Sequence, residues 1–317
     1  MVKQWKVIQP HQVVAATAVL CSQTKSPTGK RSELTLDDYE KIARDGARLG
    51  AVSVNILGGE PLVYKNIAEL IGIFAKHGYF VWMVSNSVLA TKDRLKQLRA
   101  AGLNSICFSL DSMQEERNDE IRSLNGHFKK VFEAVENAKQ AGLMVNLAPV
   151  FLPGKMKDAI DVIKYCIDNG LGASATQAAP VGSFENEAVL SPDEHDQIRQ
   201  LLRDYPRLTL DWSLSYFLEQ RCPAGKEKIG ITNYGDVIAC SINPIAFGNL
   251  RRESLSSVLK RMGNFSQFRK NSTICLAAED PYYVDNFIRP LAKVNIYPVL
   301  FSDHPKITPE TEPELFE

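Results

Sequence analysis

With 317 residues, the chain is long enough for one barrel-sized domain carrying a small appendage. Its 37 basic and 37 acidic side chains cancel, which speaks against nucleic acid or an anionic membrane as a partner. No apolar run approaches the roughly 20 residues that cross a bilayer, and no basic-then-apolar leader opens the sequence, so a cytoplasmic setting is expected.

In chain order, strands are predicted near 12–20, 51–57, 79–84, 104–109, 143–150 and 172–178. Helices fit between them at 36–49, 65–77, 91–101, 127–141 and 156–169, with another near 192–204. Gly50, Gly78, Gly102, Gly142 and Gly170 each end a helical pattern and precede an apolar strand, where a helix needs a residue that tolerates left-handed geometry. Such a series builds a parallel sheet with its helices outside. A doubly wound dinucleotide fold would carry G-x-G-x-x-G after its first strand, and Ala18-Val-Leu-Cys21-Ser-Gln has no such glycines. The expected fold class is therefore α/β: a partial (βα)6 TIM-like barrel over residues 1–205, with ligands at the carboxyl ends of its strands.

After residue 205 the pattern changes. Lys228–Ile231 and Val237–Cys240 flank the turn Asn233-Tyr-Gly-Asp236 and read as a β-hairpin. A small C-terminal α+β domain is expected over 206–285, followed by a tail over 286–317 whose Pro- and Glu-rich end, from Ile307, reads as mobile.

The most informative local feature is Gly58-Gly59-Glu60-Pro61, closing the strand Val52-Ser-Val-Asn-Ile-Leu57. Two glycines let the backbone pass close to a ligand, Glu60 sets a negative charge beside the opening, and Pro61 fixes the exit. Such a turn suits a small ligand bearing an ammonium group, although a surface Glu in an ordinary strand-to-helix loop would read the same way. Six cysteines are present, and a disulfide framework is not expected in a chain of this size without a leader. Cys107, in an apolar strand, and Cys166, on a helix, read as small core residues. The five histidines are scattered without metal-ligand spacing.

Together these segments resemble the radical S-adenosylmethionine (SAM) superfamily. Gly-Gly-Glu-Pro follows the second strand, Val84-Ser-Asn86-Ser closes the third where the family often has Thr-Asn-Gly, and Phe108-Ser109-Leu-Asp111 closes the fourth like the family's Ser-Leu-Asp. Cys222-Pro-Ala-Gly, the hairpin, Cys240, Gly-Asn and Cys275 are similar to the auxiliary-cluster extensions called SPASM or twitch domains. The resemblance spans roughly residues 12–280. It implies that Gly58, Gly59, Glu60 and Pro61 hold the amino group of SAM, and that Ser85, Asn86, Ser109 and Asp111 approach the substrate, the ribose or the methionyl carboxylate.

At its chemical centre the chain departs from the family. Radical SAM enzymes carry Cys-x3-Cys-x2-Cys after the first strand, whereas only Cys21 precedes Cys107 here. With Cys21 in the first position, Lys25 and Thr28 occupy the others; with Cys21 in the third, Val14 and Ala18 do. None offers a thiolate, so the usual radical SAM [4Fe–4S] cluster is not expected, and Cys21 stands as a single remaining barrel thiol. In the extension, Cys222, Cys240 and Cys275 are the candidate ligands of an auxiliary iron–sulfur cluster, while the expected Cys-x2-Cys reads Cys275-Leu-Ala-Ala278. Three functions stay open: an altered radical SAM enzyme acting on a small molecule or peptide, a non-radical SAM-dependent transferase or lyase, and a SAM-binding pseudoenzyme that pairs with an active paralogue.

Overall fold

The protein is described here from a computed structural model covering residues 3–8, 31–180, 189–205, 208–210, 221–292, 294 and 297–316. Its centre is a run of parallel strands: β1 (Lys3–Ile8), β2 (Ala51–Leu57), β3 (Phe80–Ser85), β4 (Leu103–Ser109), β5 (Met144–Ala148) with its short continuation β6 (Val150–Phe151), β7 (Gly172–Gln177) and β8 (Leu208–Leu210). Helices α1 (Leu36–Arg48), α2 (Ile67–Lys76), α3 (Lys92–Ala101), α4 (Glu115–Arg122), α5 (His127–Gln140), α6 (Met156–Asp168) and α7 (Pro192–Asp204) connect them. Neighbouring strands pair in chain order and the far edge of β1 is taken by a later strand, so the sheet is a partial barrel.

The core explains the order. Val54 and Ile56 of β2, Val81 and Met83 of β3, and Ile106 and Phe108 of β4 point to the helix side. There they meet the i, i+3, i+4, i+7 stripe of α2, Ile67, Leu70, Ile71 and Phe74, all fully buried. The five predicted helix-ending glycines all have positive φ, from 67° at Gly170 to 113° at Gly102. A residue with a Cβ is strained there. Thr35 and Ser191 open α1 and α7 as capping boxes, satisfying amides that the helices themselves leave free.

Three features differ from the sequence reading. The segment 12–20 and Cys21 lie outside the described residues, and the strand beside β2 is Lys3–Ile8. Helix α4 was not expected, because a stretch reading Glu-Glu-Arg-Asn-Asp-Glu-Ile-Arg has no apolar period. β8 carries the parallel run past residue 205.

Beyond the barrel, β9 (Lys228–Thr232) and β10 (Asp236–Ile238) form the predicted hairpin, in register Val237 with Ile231, and β11 (Ile245–Asn249) adds antiparallel to β10. β9 pairs in parallel with β1, so this small sheet continues the barrel sheet. Helix α8 (Leu255–Asn264) covers it through Val258 and Met262. The expectation of a mobile end is corrected over the described residues. Ile307 and Leu315 are buried, the Ser266 N–H donates to Glu312 at 3.0 Å, and Arg269 pairs with Glu314 at 2.6 Å. Apolar side chains within the Pro- and Glu-rich stretch pin it to α8 and the segment after it. No helix among the described residues is long and apolar enough to cross a membrane.

Candidate functional site

The carboxyl ends of β2, β3 and β4 meet at one mouth of the sheet. Gly58 and Gly59 are half-buried at the end of β2, and Glu60 turns inward and is buried. Pro61 begins a single 3-10 turn that Glu60 caps, its Oε1 accepting the Leu62 N–H at 3.0 Å. The same oxygen accepts the Ser85 hydroxyl at 2.9 Å, and Oε2 accepts the Asn86 N–H at 2.6 Å. Three donors from the ends of two strands therefore hold one carboxylate, and among the described residues no cation pairs with it. Burial raises the Glu60 pKa, against the opposing pull of those hydrogen bonds.

A second layer fixes Asn86 and ties it to β4. The Asn86 carbonyl lies 3.1 Å from His127 Nε2, and His127 Nδ1 lies 3.0 Å from Asn118 Nδ2. Asn118 Oδ1 accepts the Asp111 N–H at 3.1 Å. The consistent reading is a neutral imidazole donating from Nε2 and accepting at Nδ1. Burial, with the charge of Arg122 behind it, lowers the His127 pKa to about 4 and keeps the ring neutral. Asp119 secures the α4–α5 corner by accepting the Phe128 N–H at 2.8 Å.

Asp111 is buried and pairs with Arg122 Nε at 2.5 Å. Burial pushes its pKa up and Arg122 pulls it back. The structure thus joins Glu60, Ser85, Asn86 and Asp111 in one network and adds Asn118, Arg122 and His127, which sequence reasoning missed. None of the three carried a readable signal, because α4, which bears Asn118 and Arg122, has no apolar period. Ser109 ends β4 half-buried, beside Ala148 of β5.

Cys222, Cys240 and Cys275 form a separate cluster. All three are buried and line one pocket with Lys228, Asn243 and Leu276. The hydrogen bond from Cys275 holds the Cys222 thiol down at about 7, while the same contact and burial push Cys275 up. The Cys275 N–H donates to Glu279 Oε2 at 2.7 Å, and Glu279 Oε1 takes Arg199 of α7 at 2.6 Å, which anchors this loop to the barrel. Among the described residues, no group of three His, Cys, Asp or Glu side chains already stands at metal-coordinating geometry. The thiols are close without being preset around an ion. Cys107 and Cys166 are fully buried core residues, and burial raises Cys166 to about 12.

The donor sets fit the two groups differently. A buried carboxylate without a counter-cation suits an ammonium, and three converging thiols suit part of an iron–sulfur cluster. Cys21, Lys25 and Thr28 do not suit a cubane, because a protonated Lys has no lone pair to offer and Thr only a weak neutral one.

Residues 19–174 match the Radical SAM superfamily, and residues 222–279 match SPASM, an iron–sulfur cluster-binding domain. The chain is 24% identical over 270 residues to the PqqA peptide cyclase of Bradyrhizobium diazoefficiens, covering 78% of this chain and 70% of that protein. It is 29% identical over 170 residues to the GTP 3′,8-cyclase of Aquifex aeolicus, covering 52% of this chain and 53% of the relative. Among solved structures, Streptococcus suis SuiB bound to S-adenosylmethionine superposes with a TM-score of 0.62 at 18% identity, over 90% of this chain and 67% of SuiB. SuiB has also been solved with its precursor peptide SuiA. The chain thus spans about half the length of the GTP cyclase and about two thirds of SuiB. This protein belongs to the radical SAM superfamily, with a SPASM-type extension following its partial barrel.

Proposed function

We propose that this protein binds SAM at the barrel mouth, and that it derives from an enzyme modifying a peptide or small molecule while lacking the usual SAM-cleaving cluster. The observation that carries the reading is Glu60, a buried carboxylate held by Leu62, Ser85 and Asn86 with no cation beside it among the described residues. A sulfonium amino acid brings an ammonium that supplies the missing charge. Gly58 and Gly59 let the backbone approach it, Pro61 fixes the turn, and Ser85, Asn86, Ser109 and Asp111 border the remainder of the ligand. Arg122 holds Asp111 in place, and His127 holds the Asn86 carbonyl. The names of two relatives, a PqqA peptide cyclase and SuiB with its peptide SuiA, support a peptide as the substrate class.

When bound, SAM supplies an electrophilic sulfonium, or, in the family's usual chemistry, a radical precursor that needs an electron from a cluster. The donors at Cys21, Lys25 and Thr28 support no such cluster, and no step is assigned through one. The same donor set favours a second reading, in which the bound sulfonium serves non-radical transfer or cleavage, or SAM binding serves pairing with an active paralogue. Cys222, Cys240 and Cys275 would hold any iron the protein keeps. Titration calorimetry with SAM tests the binding claim. Saturable binding is expected, weakened about 10–100-fold in Glu60→Ala, in which the charge-assisted contact is lost. Unchanged binding by Glu60→Ala, or none by the wild type at millimolar SAM, overturns it.

A further inference from the structure

The helix-averted face of the sheet carries polar side chains on β2, β4 and β5. Because Val54 and Ile56 point to the helices, strand alternation turns Ser53 and Asn55 of β2 to the lumen. By the same alternation Trp82 of β3, Ser105 of β4 and Asn146 of β5 face inward, and the strand register sets Asn55, Trp82 and Ser105 side by side. Two of these polar groups are satisfied within the wall. Asn146 Nδ2 donates to Ser105 Oγ at 2.8 Å, and Ser105 donates to the Met144 carbonyl at 3.1 Å. Gly172 leaves room for this, since a Cβ there would fall 1.8 Å from Asn146 Oδ1.

Asn55 differs. Its side chain is fully buried, yet among the described residues neither Oδ1 nor Nδ2 has a hydrogen-bond partner. Leaving both ends of a buried amide unpaired is costly, and a nearby apolar side chain of similar shape would avoid the cost. The residue stands three positions before Gly58, about 10 Å below the mouth.

We propose that Asn55 is a ligand-contacting residue of the lumen, pairing its carboxamide with the N–H and C=O of one residue of a peptide substrate. This rests on the mouth being the SAM site, so that the group held by Asn55 lies beneath it. The chemistry narrows the class. A carboxylate would satisfy Nδ2 and repel Oδ1, and an ammonium would satisfy Oδ1 and leave Nδ2 bare. One residue of an extended peptide presents its N–H and its C=O on the same side and satisfies both.

The test uses two probes, N-acetylalanine methylamide and its ester analogue O-acetyl-lactic acid methylamide, in which an oxygen replaces the alanine N–H. Ligand-observed NMR on the full chain, with and without SAM, compares wild type, Asn55→Leu and the near-isosteric Asn55→Asp. The wild type should prefer the amide by about tenfold or more, because a site built to accept an N–H rejects the analogue without one. In Asn55→Leu the preference should vanish while the melting temperature rises by about 2 °C, the unpaired amide having been removed. Asn55→Asp, which loses the NH2 donor, should also bind the amide less well. The proposal is overturned if the wild type shows no amide preference or no amide binding at the probe's solubility limit. It is equally overturned if Asn55→Leu keeps the preference or melts lower. Glu60→Ala separates the two readings: it should lose SAM yet keep the amide preference measured without SAM. If SAM never binds while the preference still follows Asn55, the mouth reading fails and the Asn55 assignment survives.

Discussion

At the scale of single residues, the mouth is built by charges and amides that the chain itself holds in place. His127 is the clearest case, because it serves the site as a neutral ring. Its folded pKa of about 4 lies below the ordinary value of 6.5. Between those values the unfolded chain binds the proton more readily, so its contribution is complete above about pH 6.5 and is lost as pH falls toward 4. The full effect is about 3 kcal/mol. Raised pKa values at Glu60 and Asp111 act in the opposite direction, since those carboxyls gain from protonation on acidification. The measurement must therefore be a difference. Urea unfolding of wild type and His127→Gln across pH 4–7.5 should show the gap between them narrowing as pH falls, with Gln keeping the donor to Asn86. A gap independent of pH would mean that folding leaves the His127 pKa unshifted, and a gap that widens as pH falls would mean that the folded ring carries its proton.

At the scale of elements, glycine placement specified the architecture. Gly50 and Gly102 both sit at positive φ, 85° and 113°, but a Cβ at Gly50 meets open space while one at Gly102 falls 2.4 Å from the Cβ of Ala75 on α2. Gly50→Ala should cost only the left-handed backbone, about 1 kcal/mol. Gly102→Ala adds a clash between α2 and the start of β4 and should cost about 3 kcal/mol. Equal losses in denaturant midpoint would show that the α2–β4 junction yields freely.

The same scale shows what sequence could carry. Helices with apolar periods and glycine ends, such as 127–140 and 156–168, were legible to within about two residues, and so was the Val237–Ile231 hairpin. Helix α4 was not. Three of its four buried residues are Asn118, Asp119 and Arg122, whose burial is made tolerable by partners in other elements, and no local pattern announces that. Gly58 through Pro61 could be read because backbone demands are local. Asn55 was hidden in an apolar run, since its importance lies in the partner it lacks. The convergence of Cys222, Cys240 and Cys275 was legible only through resemblance, because their spacing of 18 and 35 residues has no physical period.

At the scale of the whole molecule, the barrel and the cysteine-bearing extension share one sheet through the β1–β9 pairing, and Glu279 ties the Cys275 loop to Arg199 of α7. Domain division near residue 205, with an extension to 285 and a tail to 317, stands as our proposal for how this continuous sheet arose. The extension retains three clustered thiols, whereas the barrel offers one in the segment where the family places three. Any iron should therefore follow the extension, and the radical machinery should be silent.

Anaerobic reconstitution with iron and sulfide, read by iron content, electron paramagnetic resonance and formation of 5′-deoxyadenosine from SAM, tests this most directly. Wild type and Cys21→Ala should give the same iron content and spectrum, Cys222→Ala should lose both, and none should release 5′-deoxyadenosine above the background of reductant alone. A spectrum that disappears in Cys21→Ala and survives in Cys222→Ala, or 5′-deoxyadenosine formed by the wild type and lost in Cys21→Ala, would contradict the account.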